Sequence, residues 1–451
     1  MAIEIMAVGG FGEVGKNMTA VKIDDEVVIF DMGLHLPNYI KYTEEEEAEL
    51  VKFSRKELIN VKAVPDDNVI NDWRDKVIAI IPSHAHLDHI GAVPYLASRY
   101  NAPIICTPFT IEVIKAILKD QRIKLENELK PLNANSKLRL SKNLTVEFVN
   151  ITHSTPQTVV VALHTKYGAI VYCNDFKLDN TPTLGQKPNY EALKKLGDQK
   201  VKLAIVDSLY AWDHRKMPGE IIAKEMLKDV LLGIDNKGKG IIVTTFSSHI
   251  ARIKSIIEFA RQLNRKVVIL GRSLAKYCSA AENAQIVFFS KEAEIIGFGK
   301  HVKKRLSRIK KEGRDKYLIV TTGHQGEPKS ILSRISRGEI EYSLSSDDHI
   351  IFSCNVIPTE VNIAHRKKLE ESLKSFGVRL FKGIHVSGHG AREDMRDLIN
   401  LIKPEHVIPA HSEKEVIAHF IELGKEMGYK DGKNMHTLLT GLRLKILWLW
   451  W

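Results

Sequence analysis

The chain has 451 residues, 44% of them hydrophobic and 27% charged, which excludes a disordered or fibrous protein and implies two or three globular domains. No run of eighteen apolar residues exists, and the N-terminus MAIEIMAVGG has neither the basic flank nor the cleavage site of a signal peptide, so a cytoplasmic protein without membrane contact is expected. A formal charge of +11 favours a polyanionic partner, while Cys106, Cys173, Cys278 and Cys354 form no C-x-x-C pair and exclude a zinc ribbon or disulfide framework.

Short strands open the chain at residues 4–8, 19–23 and 27–30, the first two joined by a turn containing Gly9, Gly10, Gly12 and Gly15. A nucleotide-binding loop is disfavoured there, because G-x-G-x-x-G is matched only approximately and a strand, not a helix, follows. The acidic run TEEEEAEL at 43–50 reads as a solvated helix or loop. An apolar strand over 76–82 then leads into SHAHLDHIGAVP at 83–94, with a helix expected over 90–99. Strands at 145–150, 158–164 and 169–173 complete a β-rich layer.

From about residue 205 the texture changes. LAIVDS, GIIVTTFSSH, KVVILGRS and YLIVTTGHQGEP each end a β-branched run in small polar residues before a helical pattern. That is the grammar of a parallel α/β sheet, and a second domain is expected over 208–365. Beyond residue 366, a helix, a strand at 381–387, another helix and a strand at 406–409 resemble the first domain more than the second. The basic run KHVKKRLSRIKKEGRDK at 300–316 reads equally as a solvated helix or as a contact to an RNA backbone. The last ten residues, LRLKILWLWW, read as a closing strand or a subunit contact, since ten residues cannot span a bilayer.

The pattern H-x-H-x-D-H carries the chemistry. On a loop leaving a strand, His84 and His86 can turn toward one metal ion while Asp88 and His89 turn toward a second. A dinuclear site needs further ligands at neighbouring strand ends, and His153, Asp175 and His411 each follow an apolar strand. Asp175 suits a bridge, having two carboxylate oxygens. Asp31 in VVIFDMG reads as a partner that orients a liganding imidazole. Imidazole with carboxylate suits two zinc ions and tolerates manganese.

In order, FDMG, SHAHLDHIGAVP, THSTPQT and CNDFKLD resemble the metallo-β-lactamase fold. The fold class implied is an αββα sandwich with the dinuclear site at one edge. VDSLYA with Asp207, IHVSGHG with His389 and IPAHSE with His411 resemble the extra motifs of the β-CASP nucleases, whose parallel α/β domain is inserted into that sandwich. The expected division is 1–207 and 366–451 for the sandwich and 208–365 for the insert. GGFGEVGKNM, TTFSSHIAR, TTGHQGEP and HVSGH look specifically like the ribonuclease J family, and the stop soon after His411 resembles its shorter archaeal type.

That resemblance implies a metal-dependent ribonuclease acting from 5′ to 3′ on single-stranded RNA, preferring 5′-monophosphate ends, with some internal cutting. It implies that His389 donates a proton to the leaving oxygen, that Asp207 orients it, and that Asp88 is both ligand and catalytic residue. It also implies that Ser247, Ser248 and His249, with His385, Val386, Ser387, Gly388 and His389, hold the terminal nucleotide and its phosphate. A homodimer is the expected state. The alternatives are a non-catalytic RNA-binding scaffold of β-CASP type, which would have lost ligands, and a small-molecule metallohydrolase, which would not need the large insert.

Overall fold

A computed structural model describes residues 2–45 and 53–447, and it divides into two compact units. The first comprises Met1–Asn180, Gly185–Met217 and Gly388–Trp451; the second comprises Thr181–Leu184 and Pro218–Ser387. Residues 46–50 of the acidic run and the tryptophans at 448, 450 and 451 lie outside the described residues.

In the first unit, β1 (Ala2–Gly9), β2 (Met18–Ile23), β3 (Glu26–Phe30), β4 (Val77–Ile81), β5 (Ile104–Cys106) and β6 (Leu129–Pro131) form one sheet in chain order. The last strand, β19 (Arg443–Leu447), pairs antiparallel with β1, so the closing-strand reading of the C-terminus holds as far as Leu447. A second sheet has the order β18 (His406–Ala410), β11 (Val201–Asp207), β10 (Gly168–Cys173), β9 (Val159–Thr165), β8 (Thr145–Asn150) and β7 (Lys137–Arg139).

Period-two alternation explains how the sheets stack. Ile5, Val28, Phe30 and Ile81 of the first sheet share one buried core with Phe148, Val161, Tyr172, Ile205 and Ile408 of the second. The opposite faces of β10 and β11, through Val171, Cys173, Ala204 and Val206, pack with Leu193, Leu398, Ile402 and Phe420 from the helices Tyr190–Asp198, Arg392–Ile402 and Lys414–Glu426. This is the expected sandwich of sheets covered by helices.

Three local expectations need correction. The helix expected over 90–99 is broken into Leu87–Ile90, Val93–Leu96 and a 3-10 turn Ala97–Arg99, because Gly91 caps the first piece and Pro94 can only start the next. LAIVDS, grouped by texture with the parallel α/β runs although the expected boundary at 207 keeps its strand in the sandwich, forms β11 of the first unit, parallel to both β10 and β18. The strand expected at 381–387 is shorter and earlier: β17 (Arg379–Phe381) pairs with the second unit's sheet, and 382–387 have no strand structure. Helix Glu360–Lys374 runs unbroken through residue 365, and the chain returns to the first unit at Gly388.

The second unit is a parallel sheet in the order β14 (Ala293–Ile296), β13 (Lys266–Leu270), β15 (Tyr317–Thr321), β12 (Ile241–Thr244), β16 (His349–Phe352) and β17, whose inner strands β13, β15, β12 and β16 are buried on both faces apart from Lys266. At its C-terminal edge the fully buried Arg252 donates to both carboxylate oxygens of Glu220, at 2.6 and 2.9 Å, and to the carbonyls of Ser353 and Ile384. Burial opposes the Glu220 charge, but His249 and Arg252 hold the carboxyl well below its usual range. Such a depressed carboxyl stabilises the fold above the unfolded pKa of ~4.3 and loses that contribution as pH falls toward the folded value. Glu220→Gln is therefore expected to lower stability by ~3–5 kcal/mol at pH 7, and denaturant unfolding should show that gap narrowing below pH ~4.3.

Helix Gly299–Glu312 buries Val302, Leu306 and Ile309, as its apolar spacing demands, and exposes Lys300, Lys303, Lys304, Arg308 and Lys311. The helical reading of the basic run is thus realised.

Candidate metal centre

Loops leaving the C-terminal ends of β3, β4, β8, β10 and β18 converge in the first unit, as strand ends of mixed sheets favour. Asp31 follows β3 directly; His84, His86, Asp88 and His89 follow β4; His153 follows β8; Asp175 follows β10; His411 follows β18. Asp31, Asp175 and His411 all adopt left-handed backbone, with φ of +56°, +60° and +57°. That conformation is uncommon for residues with a side chain, although aspartate and histidine adopt it more readily than most, and three such residues at neighbouring strand ends mark a constrained site.

Two four-donor groups result, sharing Asp175, which also belongs to a third, three-donor group with Asp207 and His389. In the first, His86 Nδ1 lies 3.1 Å from His84 Nε2 and 3.1 Å from His153 Nε2, while Asp175 Oδ2 stands 3.4 Å from His84 and 3.5 Å from His153. In the second, Asp175 Oδ1 is 3.2 Å from His89 Nε2 and 3.8 Å from His411 Nε2, and Asp88 Oδ2 is 3.6 and 3.8 Å from the same two nitrogens. Ligand atoms ~2.1 Å from a tetrahedral zinc are ~3.4 Å apart, so both spacings fit. Neither Asp175 oxygen accepts a well-formed hydrogen bond although both are buried. A buried carboxylate left without such bonds is costly, and a cation at each oxygen would remove that cost.

The surroundings fix which nitrogen faces inward. Asp31 accepts from His89 Nδ1 at 2.7 Å, from the Ser83 amide at 2.7 Å and from the Tyr172 hydroxyl at 2.8 Å. The Gly388 carbonyl accepts from His153 Nδ1 at 2.8 Å. Both contacts place a ring proton on Nδ1 and turn Nε2 toward Asp175. Burial, reinforced by neighbouring imidazoles, lowers His84 to about 4 and His153 well below its usual value, keeping each in the neutral form that a metal ligand needs. Burial opposes the charge on Asp175, yet the imidazoles of His411, His89 and His389 hold it well below the carboxylate range.

His389 stands beside the first group. Its Nδ1 donates to Asp207 Oδ2 at 2.7 Å and its Nε2 lies 3.8 Å from Asp175 Oδ2. Burial works against protonation, but Asp175 and Asp207 together raise His389 to about 9. Asp207 is itself fixed by the Leu209 amide at 2.9 Å.

Sequence reading missed Asn17. Its side-chain nitrogen donates to the Asp88 carbonyl at 3.1 Å and lies 3.0 Å from His89 Nε2, and its oxygen lies 3.0 Å from His411 Nδ1. Asn174 Nδ2 in turn donates to Asn17 at 3.1 Å and to Tyr172 at 3.0 Å. Asn17 belongs to the GGFGEVGKNM segment, but nothing local in that segment announces a partner 394 positions away. Gly388 also acts by what it lacks: a Cβ there would lie 2.8 Å from Ser154 Cβ and 2.9 Å from its amide nitrogen. Gly388→Ala is expected to displace the His153 loop and weaken metal retention ~10–100-fold, measured by titrating the protein with a chelator.

The remaining expected site residues lie in the second unit. Phe246, Ser247 and Ser248 form a turn after β12, His249 caps helix Ile250–Gln262 without a side-chain cap bond, and Ser247 Oγ is 2.8 Å from Ser273 Oγ. The serine N-cap is therefore not used. His385 is half-buried, with its ring 6.1 Å from Phe246 and 6.4 Å from His249, and Val386 is buried.

An αββα unit with paired histidine–carboxylate groups at its strand ends and an inserted parallel α/β unit defines a metallo-β-lactamase-fold protein of the β-CASP class. Profiles described as "Metallo-beta-lactamase superfamily", "Ribonuclease J, beta-CASP domain" and "Zn-dependent metallo-hydrolase RNA specificity domain" match residues 11–217, 238–367 and 378–437. The chain is 46% identical to ribonuclease J of Methanocaldococcus jannaschii over 98% of both chains, and 42% identical to ribonuclease J of Pyrococcus abyssi over 97% of this chain and 96% of that one. It therefore belongs to the ribonuclease J family. Ribonuclease J 1 of Streptococcus pyogenes is 30% identical over 91% of this chain but only 69% of its own. A solved structure titled as a protein of unknown function from Enterococcus faecalis shares the fold, with TM-score 0.67 over 99% of this chain and all of that one at 18% identity. Divalent metal use follows from the superfamily and agrees with the two donor groups. Among the described residues no helix is long and apolar enough to cross a membrane.

Proposed function

We propose that the protein is a metal-dependent ribonuclease that degrades single-stranded RNA from 5′ to 3′, preferring 5′-monophosphate ends, with internal cutting as a secondary activity. The observation that carries this reading is Asp175, whose two oxygens face two histidine groups while His389 waits beside one of them. His84, His86 and His153 with Asp175 would hold one ion, and Asp88, His89 and His411 with Asp175 the second. Zinc suits this donor set, and manganese is the alternative. When bound, the two ions supply Lewis acidity that activates an attacking water and offsets charge on the phosphoryl oxygens.

The chain's own residues do the rest. As the water oxygen bonds to phosphorus and the P–O3′ bond breaks, the departing 3′ oxygen takes the proton from His389 Nε2. Asp207 holds the ring by Nδ1 and favours its protonated form. Ser247, Ser248 and His249, with residues 385–389, bind the 5′ nucleotide and its phosphate. The +11 charge and the exposed basic face of helix Gly299–Glu312 suit the RNA backbone beyond it. The protein acts in the cytoplasm as a homodimer. End-labelled RNAs bearing 5′ monophosphate, triphosphate or hydroxyl test the reading. Mononucleotides should accumulate fastest from the monophosphate, whereas release from the 3′ end or equal rates on all three would overturn it.

A further inference from the structure

We propose that Tyr210 and Trp212 form a stacking platform for one nucleobase of the RNA beside the scissile bond, a subsite that rests on the ribonuclease reading above. The pair lies on the turn that follows β11, directly after Asp207. The Tyr210 ring is 6.0 Å from His389, inclined at 46°, and the Trp212 ring is 5.9 Å from Tyr210, inclined at 40°. Three rings thus step outward from the proton donor to the surface.

Trp212 is the outlier among the described tryptophans. Trp73 is 3% exposed, with Lys22 and Arg443 over its ring, whereas Trp212 is 50% exposed. A tryptophan carries more apolar surface than almost any other side chain, and leaving half of it in water at the tip of a turn is unfavourable unless something covers it. The turn is not loose. Ala211 is buried, its amide donates to the Ser208 carbonyl, and the Asp213 amide donates to the Tyr210 carbonyl at 3.0 Å. Ser208 Oγ donates to the Ala410 carbonyl at 2.9 Å, next to His411, and Tyr210 makes a β-bridge to Ala391. Asp213 accepts from the Arg215 amide and guanidinium and gives its carbonyl to the Arg392 amide. The backbone carrying the rings is therefore fixed before any ligand arrives, so little of its ordering opposes stacking.

A nucleobase is the ligand this surface fits. An exposed ring on a rigid turn accepts any base face, so contact requires no particular sequence, as a processive nuclease needs. The turn's attachment to both Asp207 and the His411 strand fixes the platform at a constant distance from the chemistry. A base stacked there would hold the strand in register for each cut.

The test uses the full chain, metal-loaded, and 5′-monophosphorylated oligoribonucleotides in which one abasic residue is moved stepwise from the 5′ end. The unmodified protein should show KM raised ~10-fold when the abasic residue sits at one position flanking the scissile bond. Trp212→Ala should raise KM ~10-fold on intact RNA with unchanged metal content, and should be indifferent to the abasic residue at that position. Trp212→Phe should restore most of the affinity and the positional effect. The platform is overturned if Trp212→Ala keeps the KM and abasic profile of the unmodified protein, or if the two defects multiply. Absence of any RNA hydrolysis by the unmodified, metal-loaded protein would instead overturn the ribonuclease reading, and the platform with it.

Discussion

Asp175→Ala should eliminate RNA hydrolysis, with a fall of ~10⁴-fold or more, and should strip both ions rather than one. The reason is its double duty: Oδ2 faces His84 and His153, and Oδ1 faces His89 and His411. Losing both oxygens removes the anionic donor of the first group and leaves Asp88 as the remaining anionic donor of the second. Asp175→Asn separates charge from shape, because its volume is unchanged while its amide presents one acceptor and one donor. It should keep the fold, retain at most one weakly held ion, and remain inactive. Metal content by elemental analysis, read beside the melting temperature, checks both variants. Two ions retained in Asp175→Ala would refute the bridging role.

His389→Ala should reduce kcat ~10²–10⁴-fold while leaving two ions bound, with a smaller rise in KM from its share in binding the 5′ nucleotide. His389 touches Asp207 and approaches Asp175, and with them it forms only a three-donor group outside the two four-donor ones, so its removal should act on the leaving oxygen more than on the two ions. The pH profile gives the sign. The proton is present below the pKa and lost above it, so activity should decline on the alkaline side, at or below pH about 9, since ions bound to Asp175 weaken part of the attraction that raises His389. Asp207→Asn removes the other carboxylate and should move that decline to lower pH. An RNA whose leaving 3′ oxygen is replaced by sulfur needs no proton and should recover most of the lost rate in His389→Ala.

Much of this arrangement is visible in the sequence because its determinants are local. H-x-H-x-D-H occupies one loop, and each further donor follows the end of an apolar strand, so the four segments after β4, β8, β10 and β18 name their own residues. Asp31 is legible for the same reason. What sequence could not show are contacts between distant segments of short-range ordinariness. Asn17 looks like a turn residue until β1, β2 and β18 are folded together, and Arg252 looks like a surface helix residue until Glu220, Ser353 and Ile384 surround it. The break after Ile90 escaped because the apolar spacing of 90–99 suits a helix, while Gly91 fits there through its closeness to Leu34 and the Leu87 carbonyl. The placement of β17 followed tertiary pairing with β16, not its own weak pattern.

The way His411 meets Asn17 and His89 also bears on how the protein is made. The donor loop at 84–89 leaves the ribosome long before residue 411 does, by a delay of roughly 15–65 s at ~5–20 residues per second. Until then the second donor group lacks a histidine and β11 lacks its neighbour β18. A nascent chain therefore carries an unfinished centre until β18 and His411 have emerged and paired with β11 and Asn17.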